Sequence, residues 1–365
     1  MPIIRPRVRL RQPSRGGRGF APLAPQDDRL SDLPGFGPDP GNLRARCYVP
    51  ADLEGPAPLV VVLHGCTQDA AVYDHGSGWS TLADRHGFIL LFPEQRRANN
   101  PMLCFNWFSP DDTRRNAGEA ASIRAMVEAI GSLHDVDPAR VFVTGLSAGG
   151  AMASVMLAAY PEVFAGGAII AGVAYGCAGD VGEAFECMGG RARSSGRDLG
   201  RSVRGASRHG GPWPRVQVWQ GGADHIVVPS NGEAIVAQWT DVHGLPAEPH
   251  RLDRVEGHPR RTWLGASGEP LVEHYLIAGM DHGVPLAAAG DDPIGAAGAH
   301  MLEVGLSSTA RIAAFFGIAP ERQARPATPA AALAPPTSRP AAEAKPAGGP
   351  QQVIEKALRA AGLMR

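Results

Sequence analysis

Apolar residues recur along the chain in short continuous runs, and longer stretches with helical spacing separate these runs. Most runs end at a glycine or proline, as is typical of strands buried on both faces of a parallel sheet. Strands are predicted at 59–65, 88–95, 140–145, 165–172, 216–221 and 272–279. Helices are predicted at 117–133, 148–160, 233–242 and 308–317, with Ser308 as the N-cap of the last. This alternation predicts an α/β fold with a mostly parallel sheet and helices on both faces.

Both ends of the chain lack this periodicity. Residues 1–40 are rich in Arg, Pro and Gly, which predicts a flexible N-terminal arm. Residues 320–350 form an Ala/Pro-rich linker, and 351–365 have the spacing of a short amphipathic helix. That helix either packs on its own domain or contacts a partner or polymer surface. The rest, 41–319, is predicted to be one catalytic domain.

Composition narrows the classes of function. The 365 residues carry a formal net charge of −1, so no global field attracts nucleic acid or an anionic membrane. No apolar run reaches the roughly 18 residues of a membrane span. The basic N-terminus also lacks the apolar stretch of a secretory signal. Neither CxxC nor HExxH occurs, so we expect no metal site and no cofactor.

The most specific local motif is Gly-Leu-Ser-Ala-Gly at 145–149, which fits G-x-S-x-G. A predicted strand precedes it and a predicted helix follows it. In this context the serine lies on a sharp turn that projects its Oγ above the sheet, and glycines remove side chains that would clash. We therefore predict Ser147 as a catalytic nucleophile.

A serine hydroxyl needs a base, and the base needs a carboxylate that orients it. In α/β-hydrolases these residues follow in the order Ser, Asp, His, each on a loop after a strand. His282 follows the last predicted strand, and Asp224 follows the strand before it. Asp281 would have difficulty folding back to the ring of its neighbour, and His300 falls on a predicted helix. We predict Asp224 and His282 as the other two catalytic residues.

An oxyanion hole requires two N–H donors. One should come from the residue after the nucleophile, which is Ala148, and the other from the loop after an early strand. The segment His64-Gly65-Cys66-Thr67 is that loop, and the Cys66 N–H is the predicted donor. We interpret His64 as a structural residue.

Read together, these residues resemble the esterases of the poly(3-hydroxybutyrate) depolymerase family. The resemblance spans about 38–318 and rests on an ordered series of motifs, among them VVLHGCTQ (61–68), CFNWF (104–108), VFVTGLSAGGAMA (141–153), VWQGGADHIVVPSN (218–231) and GMDHG (279–283). It implies an α/β-hydrolase fold and ester hydrolysis through an acyl-enzyme, with Ser147, Asp224 and His282 as the triad. One departure is AGVAYGCA (171–178), which has Val-Ala where family members often have Leu-Pro.

The resemblance also suggests an interpretation of the five cysteines. A Cys66–Cys104 bridge would pin the oxyanion loop to the CFNWF segment, and a Cys177–Cys187 bridge would leave Cys47 free. The alternative is that all five thiols are reduced, as a cytoplasmic location would favour. Family resemblance predicts an extracellular protein, and the lack of a visible signal peptide keeps the cytoplasm as the alternative.

Trp107, Phe108 and Tyr175 are candidate substrate-binding residues, because an ester with apolar faces packs well on aromatic side chains. The Arg-rich stretch 191–208 reads as a solvated insertion. The primary hypothesis is a serine esterase acting on short-chain polyhydroxyalkanoate polyester or its oligomers. The alternatives are an acetyl or feruloyl esterase acting on carbohydrate, and a polymer-granule binding protein that uses the linker and terminal helix.

Overall fold

The computed structural model describes residues 28–192, 194–289 and 293–321. A ten-stranded sheet forms its centre. The strands are β1 (Ser31–Asp32), β2 (Arg44–Tyr48), β3 (Ala57–Leu63), β4 (Ile89–Glu94), β5 (Val136–Leu146), β6 (Gly166–Ile170), β7 (Arg215–Gly221), β8 (Arg251–Val255), β9 (His258–Leu264) and β10 (Pro270–Ile277). A second, two-stranded parallel sheet pairs β11 (Val284–Leu286) with β12 (Met301–Glu303).

The strand order of the large sheet is β1-β2-β4-β3-β5-β6-β7-β10-β9-β8. The six strands from β4 to β10 pair in parallel, and the two strands at each flank pair antiparallel. The prediction of a mostly parallel sheet is confirmed. Because parallel neighbours end at the same edge, the loops after β3, β5, β7 and β10 meet there.

Helices cover both faces of the large sheet. In the described residues they are α1 (Ala70–Ser77), α2 (Trp79–His86), α3 (Pro110–Thr113), α4 (Gly118–Leu133), α5 (Ala148–Ala159), α6 (Val181–Met188), α7 (Gly196–Gly205), α8 (Ser230–His243) and α9 (Ser308–Phe316). One core lies between the sheet and α4, α5, α7 and α8, and the other lies between the sheet and α1, α2 and α9. Alternate residues of β3 point into the two cores, which explains its continuous apolar sequence.

Several elements differ from the sequence-based expectation. Residues 28–40, assigned to the arm, include β1 and bury Leu30 and Leu33. The stretch 191–208, interpreted as solvated, contains α7, whose Leu199 and Val203 are buried in a core. A capping box at Ser195 and Asp198 starts this helix. The capping hydrogen bonds and the burial of a narrow apolar stripe stabilise the helix despite its many charged residues.

The N-cap of α9 is Ser307 rather than the predicted Ser308. The Ser307 Oγ accepts from the Ala310 N–H, while the Ser308 Oγ donates to the Pro285 carbonyl of β11. The predictions for 1–27 and 322–365, including the linker and terminal helix, lie outside the described residues. Within the described ranges no helix is long and apolar enough to cross a membrane.

Candidate active site

Ser147 occupies a sharp turn between β5 and α5. Its φ of 57° and ψ of −119° lie outside the regions that residues with side chains ordinarily adopt. The neighbouring glycines make this turn feasible, since a Cβ at Gly149 would lie 2.3 Å from the Leu63 carbonyl oxygen. A Cβ at Gly145 would lie 2.4 Å from the Gly149 carbonyl oxygen. Such backbone strain persists only where the surrounding structure imposes it, and it is concentrated at functional sites.

Asp224 and His282 form a buried pair on adjacent loops, after the neighbouring strands β7 and β10. The His282 Nδ1–H donates to Asp224 Oδ2 at 2.8 Å, and the Asp224 side chain is fully buried. Asp224 Oδ1 accepts from the backbone N–H groups of Ile226 and Val227, each at 2.9 Å. Because Nδ1 carries the hydrogen, the other ring nitrogen of His282, Nε2, is left as a base.

The competing groups near this pair have other partners. Asp281 Oδ1 accepts from the backbone N–H of His282 at 2.7 Å, so this carboxylate holds the main chain of His282. His64 is buried at the end of β3, where its Nδ1–H donates to the Gly65 carbonyl and its Nε2 accepts from the Gln95 N–H. Burial lowers the pKa of the His64 imidazole, which keeps the ring neutral.

His300 lies beside His282, and the helix predicted around it is wrong. The residue forms a turn directly before β12, with a φ of 59°. Gly295 and Gly298 precede it, and a backbone bridge between Gly298 and Met301 closes the turn in place of a helix. The His300 Nδ1–H donates to the backbone carbonyl of His282 at 2.9 Å. The sequence pattern did not indicate this contact, because it joins the loop of His282 to a turn around His300 that carries no motif.

The two predicted oxyanion donors line the same cavity as the strained serine. Ala148 is the first residue of α5, a position where the backbone N–H has no intrahelical acceptor. Cys66 follows β3 and forms a disulfide with Cys104. The next N–H along, that of Thr67, donates to the Met102 carbonyl at 2.6 Å. One covalent bond and one hydrogen bond thus attach the oxyanion loop to the segment that carries the predicted aromatic residues.

Ser147 and His282 border a cavity of about 380 Å³. Trp107 and Phe108 line it, with their rings edge to face and the centroids 5.5 Å apart. Tyr175 lies outside this lining, since the chain turns away after Val173 and the Tyr175 side chain packs against the core under α8. It is therefore not retained as a substrate-binding candidate.

Sequence reasoning missed the helix α6, which forms an apolar wall of the cavity. Four of its residues line the cavity, namely Val181, Ala184, Phe185 and Met188. Their spacing of i, i+3, i+4 and i+7 is the signal that could have identified this face. A disulfide from Cys187 in α6 to Cys177 fixes the helix to the loop that follows β6.

A buried carboxyl group supports the wall that carries Trp107. Glu119 in α4 accepts from Gln95 Nε2 at 2.5 Å and from the Asn106 N–H at 2.8 Å. Burial, with a contribution from the charge of Asp112, raises the pKa of Glu119 to about 8. In the part of the chain that the structure describes, no group of three or more His, Cys, Asp or Glu side chains is placed to hold a metal ion.

This carboxyl group predicts a pH dependence of stability. The pKa of Glu119 is about 8 in the folded protein against an ordinary 4.5, so the folded state retains a proton that the unfolded chain has lost. The stabilisation from this proton is fully present below about pH 4.5 and is lost as the pH rises through about 8. In Glu119→Gln, which cannot ionise, the melting temperature measured calorimetrically from about pH 5 to 9 should fall less steeply than in the wild type.

The control for this experiment is Glu128→Gln, on the exposed face of the same helix, which should follow the wild-type slope. Glu119→Gln should also lower the melting temperature at the acid end of this range, because its amide nitrogen would face the N–H donors of Gln95 or Asn106. Equal slopes for Glu119→Gln and the wild type would contradict the assignment.

Comparison with known proteins identifies the family. Residues 45–251 match the family described as Esterase PHB depolymerase. The chain belongs to this family. It is accordingly a carboxylic ester hydrolase with an α/β-hydrolase fold, and the family and fold predicted from the sequence are confirmed.

Relatives with different names resemble the chain to different degrees. Poly(3-hydroxyalkanoate) depolymerase C of Paucimonas lemoignei is 45% identical over 291 residues, covering 79% of this chain and 70% of the relative. An acetylxylan esterase of Coprinopsis cinerea is 33% identical over 264 residues, covering 70% of each chain. Among solved structures, the acetyl xylan esterase from Aspergillus awamori superposes with a TM-score of 0.68 at 25% identity, covering 80% of this chain and 99% of that one.

Proposed function

We propose that the protein is a serine esterase that hydrolyses short-chain polyhydroxyalkanoate polyester or its oligomers through an acyl-enzyme. The observation that carries this proposal is the strained Ser147 at the edge of a cavity that His282 also lines, with the buried Asp224 bonded to the His282 ring. A nucleophile, a base and an orienting carboxylate are the groups that acyl transfer requires.

The proposed reaction has two halves. Ser147 Oγ attacks the ester carbonyl carbon as its proton moves to His282 Nε2, and the negative oxygen accepts from the N–H groups of Cys66 and Ala148. Expulsion of the alcohol, which takes the proton from His282, leaves the acyl group on Ser147. Water then attacks the acyl-enzyme with His282 again as base, and His282 returns this proton to Ser147 Oγ as the 3-hydroxy acid leaves. Asp224 keeps the imidazole in the tautomer with hydrogen on Nδ1 and stabilises its positive charge.

Two observations support a polyester as the substrate. The relative at 45% identity carries a depolymerase name, and the cavity wall formed by α6 is apolar. Two of the polar side chains that line the cavity have their acceptor oxygens engaged within the protein. Gln68 Oε1 accepts from the Gly65 N–H at 2.9 Å, and Asn100 Oδ1 accepts from the Met102 N–H at 3.0 Å. Few side-chain acceptors are left to pair with sugar hydroxyl groups, which a carbohydrate ester would bring into the cavity.

The second candidate is a carbohydrate esterase that removes acetyl or feruloyl groups. The acetylxylan esterase relative favours it, as does feruloyl esterase B of Talaromyces funiculosus, which is 30% identical over 265 residues. The same arrangement of catalytic groups serves both reactions.

A substrate panel distinguishes the two candidates. We expect kcat/KM for a 3-hydroxybutyrate trimer to exceed that for acetylated xylotriose and feruloyl arabinose by about tenfold or more, since a site whose buried polar groups are already paired gains little from added hydroxyl groups. The reverse order would establish the carbohydrate esterase. Deletion of 322–365 tests whether the C-terminal segment provides a separate binding function. Loss of adsorption to polymer granules, with hydrolysis of the soluble trimer unchanged, would show that it does.

The two disulfides support an extracellular location, because such bonds persist in oxidising compartments. Titration of the denatured protein without reductant should find one thiol, that of Cys47, and titration after reduction should find all five. Five thiols before reduction in protein isolated under thiol-trapping conditions would contradict this proposal and favour the cytoplasm.

A further inference from the structure

The backbone of His282 is held on both sides of the residue. The Asp281 carboxylate accepts from its N–H at 2.7 Å, and the His300 Nδ1–H donates to its carbonyl at 2.9 Å. Its ring is held separately, by Asp224 Oδ2 at 2.8 Å. Among these three partners, His300 is the one that also lines the cavity. It lies 18 residues after His282 in the chain.

His300 is itself held in an unusual conformation. Its φ of 59° lies in the left-handed region, which a histidine enters at a cost in free energy. Its carbonyl accepts from the Val284 N–H at 2.8 Å, at the start of the pairing between β11 and β12. The small sheet therefore fixes the backbone of His300 next to the chain that leaves His282. The two imidazole rings stand at 79° with centroids 5.7 Å apart.

From these contacts we propose that His300 is a positioning residue for the general base. Its Nδ1–H holds the His282 carbonyl, which sets the direction from which the His282 ring enters the cavity towards Ser147. This role rests on the proposed function, since it presumes that His282 takes the Ser147 proton. The His300 Nδ1–H therefore affects the transfer of the Ser147 proton to His282, because this transfer requires the Ser147 and His282 side chains to lie within hydrogen-bond reach. The apolar wall of the cavity is formed by α6, so its side chains are unchanged in a His300 variant.

A matched pair of variants separates the hydrogen bond from the backbone conformation. Both glycine and asparagine tolerate a positive φ, so neither His300→Gly nor His300→Asn should disturb the turn. Only asparagine offers an N–H near the position of the imidazole Nδ1. We expect His300→Gly to lower kcat on a short p-nitrophenyl ester by roughly 10- to 100-fold with KM changed less than about twofold. His300→Asn should restore kcat to within about threefold of the wild type.

A second measurement does not depend on substrate binding. The rate constant for labelling of Ser147 by a small fluorophosphonate should fall in His300→Gly by the same factor as kcat, and should recover in His300→Asn. The proposal is overturned if the two variants lose kcat equally, or if His300→Gly changes KM alone. It is also overturned if labelling stays at the wild-type rate while kcat falls.

The outcome for the proposed function is read separately, from Ser147→Ala. If Ser147→Ala is inactive while both His300 variants equal the wild type, then only the positioning role fails. If Ser147→Ala retains turnover, the proposed function itself fails.

Discussion

Ser147→Ala should lower kcat for a short p-nitrophenyl ester by roughly 10⁵- to 10⁶-fold, the scale of loss when a serine hydrolase loses its nucleophile. The variant removes a single oxygen atom and leaves the Cβ, so the strained turn between β5 and α5 is retained. We therefore expect the melting temperature to change by only a few degrees, since a change of about 1 kcal/mol moves it by about 2–4 °C in a domain of this size.

The control is Ser132→Ala, a serine on the exposed face of α4 whose Oγ donates only to the Glu128 carbonyl. It should retain wild-type kcat and KM. Turnover above about one per cent in Ser147→Ala, with the fold intact by circular dichroism, would exceed the residual rate that binding and the oxyanion donors supply, and would contradict the nucleophile assignment.

Asp224→Asn should lower kcat by about 10⁴-fold, with a much smaller change in KM. The physical reason lies in the tautomer. An asparagine amide can turn its N–H₂ towards His282 Nδ1, which moves the imidazole hydrogen to Nε2, where the ring can no longer accept the Ser147 proton. The two backbone donors from Ile226 and Val227 still bind Oδ1 and hold the side chain in place, which forces the amide nitrogen into the Oδ2 position.

Asp281→Asn is the matched comparison, because it also removes one charge beside His282 but touches only the backbone N–H of that residue. Its Oδ1 can still accept that hydrogen bond, so kcat should fall by less than about tenfold. If Asp281→Asn cost more than Asp224→Asn, the assignment of the orienting carboxylate would have to be exchanged between the two residues.

Much of the fold was predictable because strands buried on both faces are continuous apolar runs. The runs around 59–65 and 216–221 correspond to β3 and β7, and the motif at 145–149 lies at the turn after β5. The prediction that Ser147, Asp224 and His282 meet in one site depends only on parallel strands ending at the same edge of the sheet. The structure brings Asp224 and His282 into contact on that basis.

The rest depended on contacts that no local pattern encodes. The flanking strands β8 and β9 are rich in Arg, and β8 is mostly exposed while β9 is mostly half-buried, so they lack the apolar run of a central strand. Helix α6 is only eight residues long, and its four cavity-lining side chains are interleaved with charged residues and a cysteine. His300 reaches His282 through the pairing of β11 with β12, two strands of three residues each. Such short elements are stable only through tertiary packing.

The two disulfides have a consequence for how the cavity meets a flexible polymer. One ties the loop of Cys66 to the aromatic segment, and the other ties α6 to the loop of Cys177. Both walls are therefore ordered before substrate arrives, and little conformational entropy remains for the protein to lose on binding. The conformational entropy is lost by the polyester chain instead, because a few of its ester units must become extended to enter the cavity. Chain ends and loosely held loops of polymer should for this reason be cut before segments packed in a crystal.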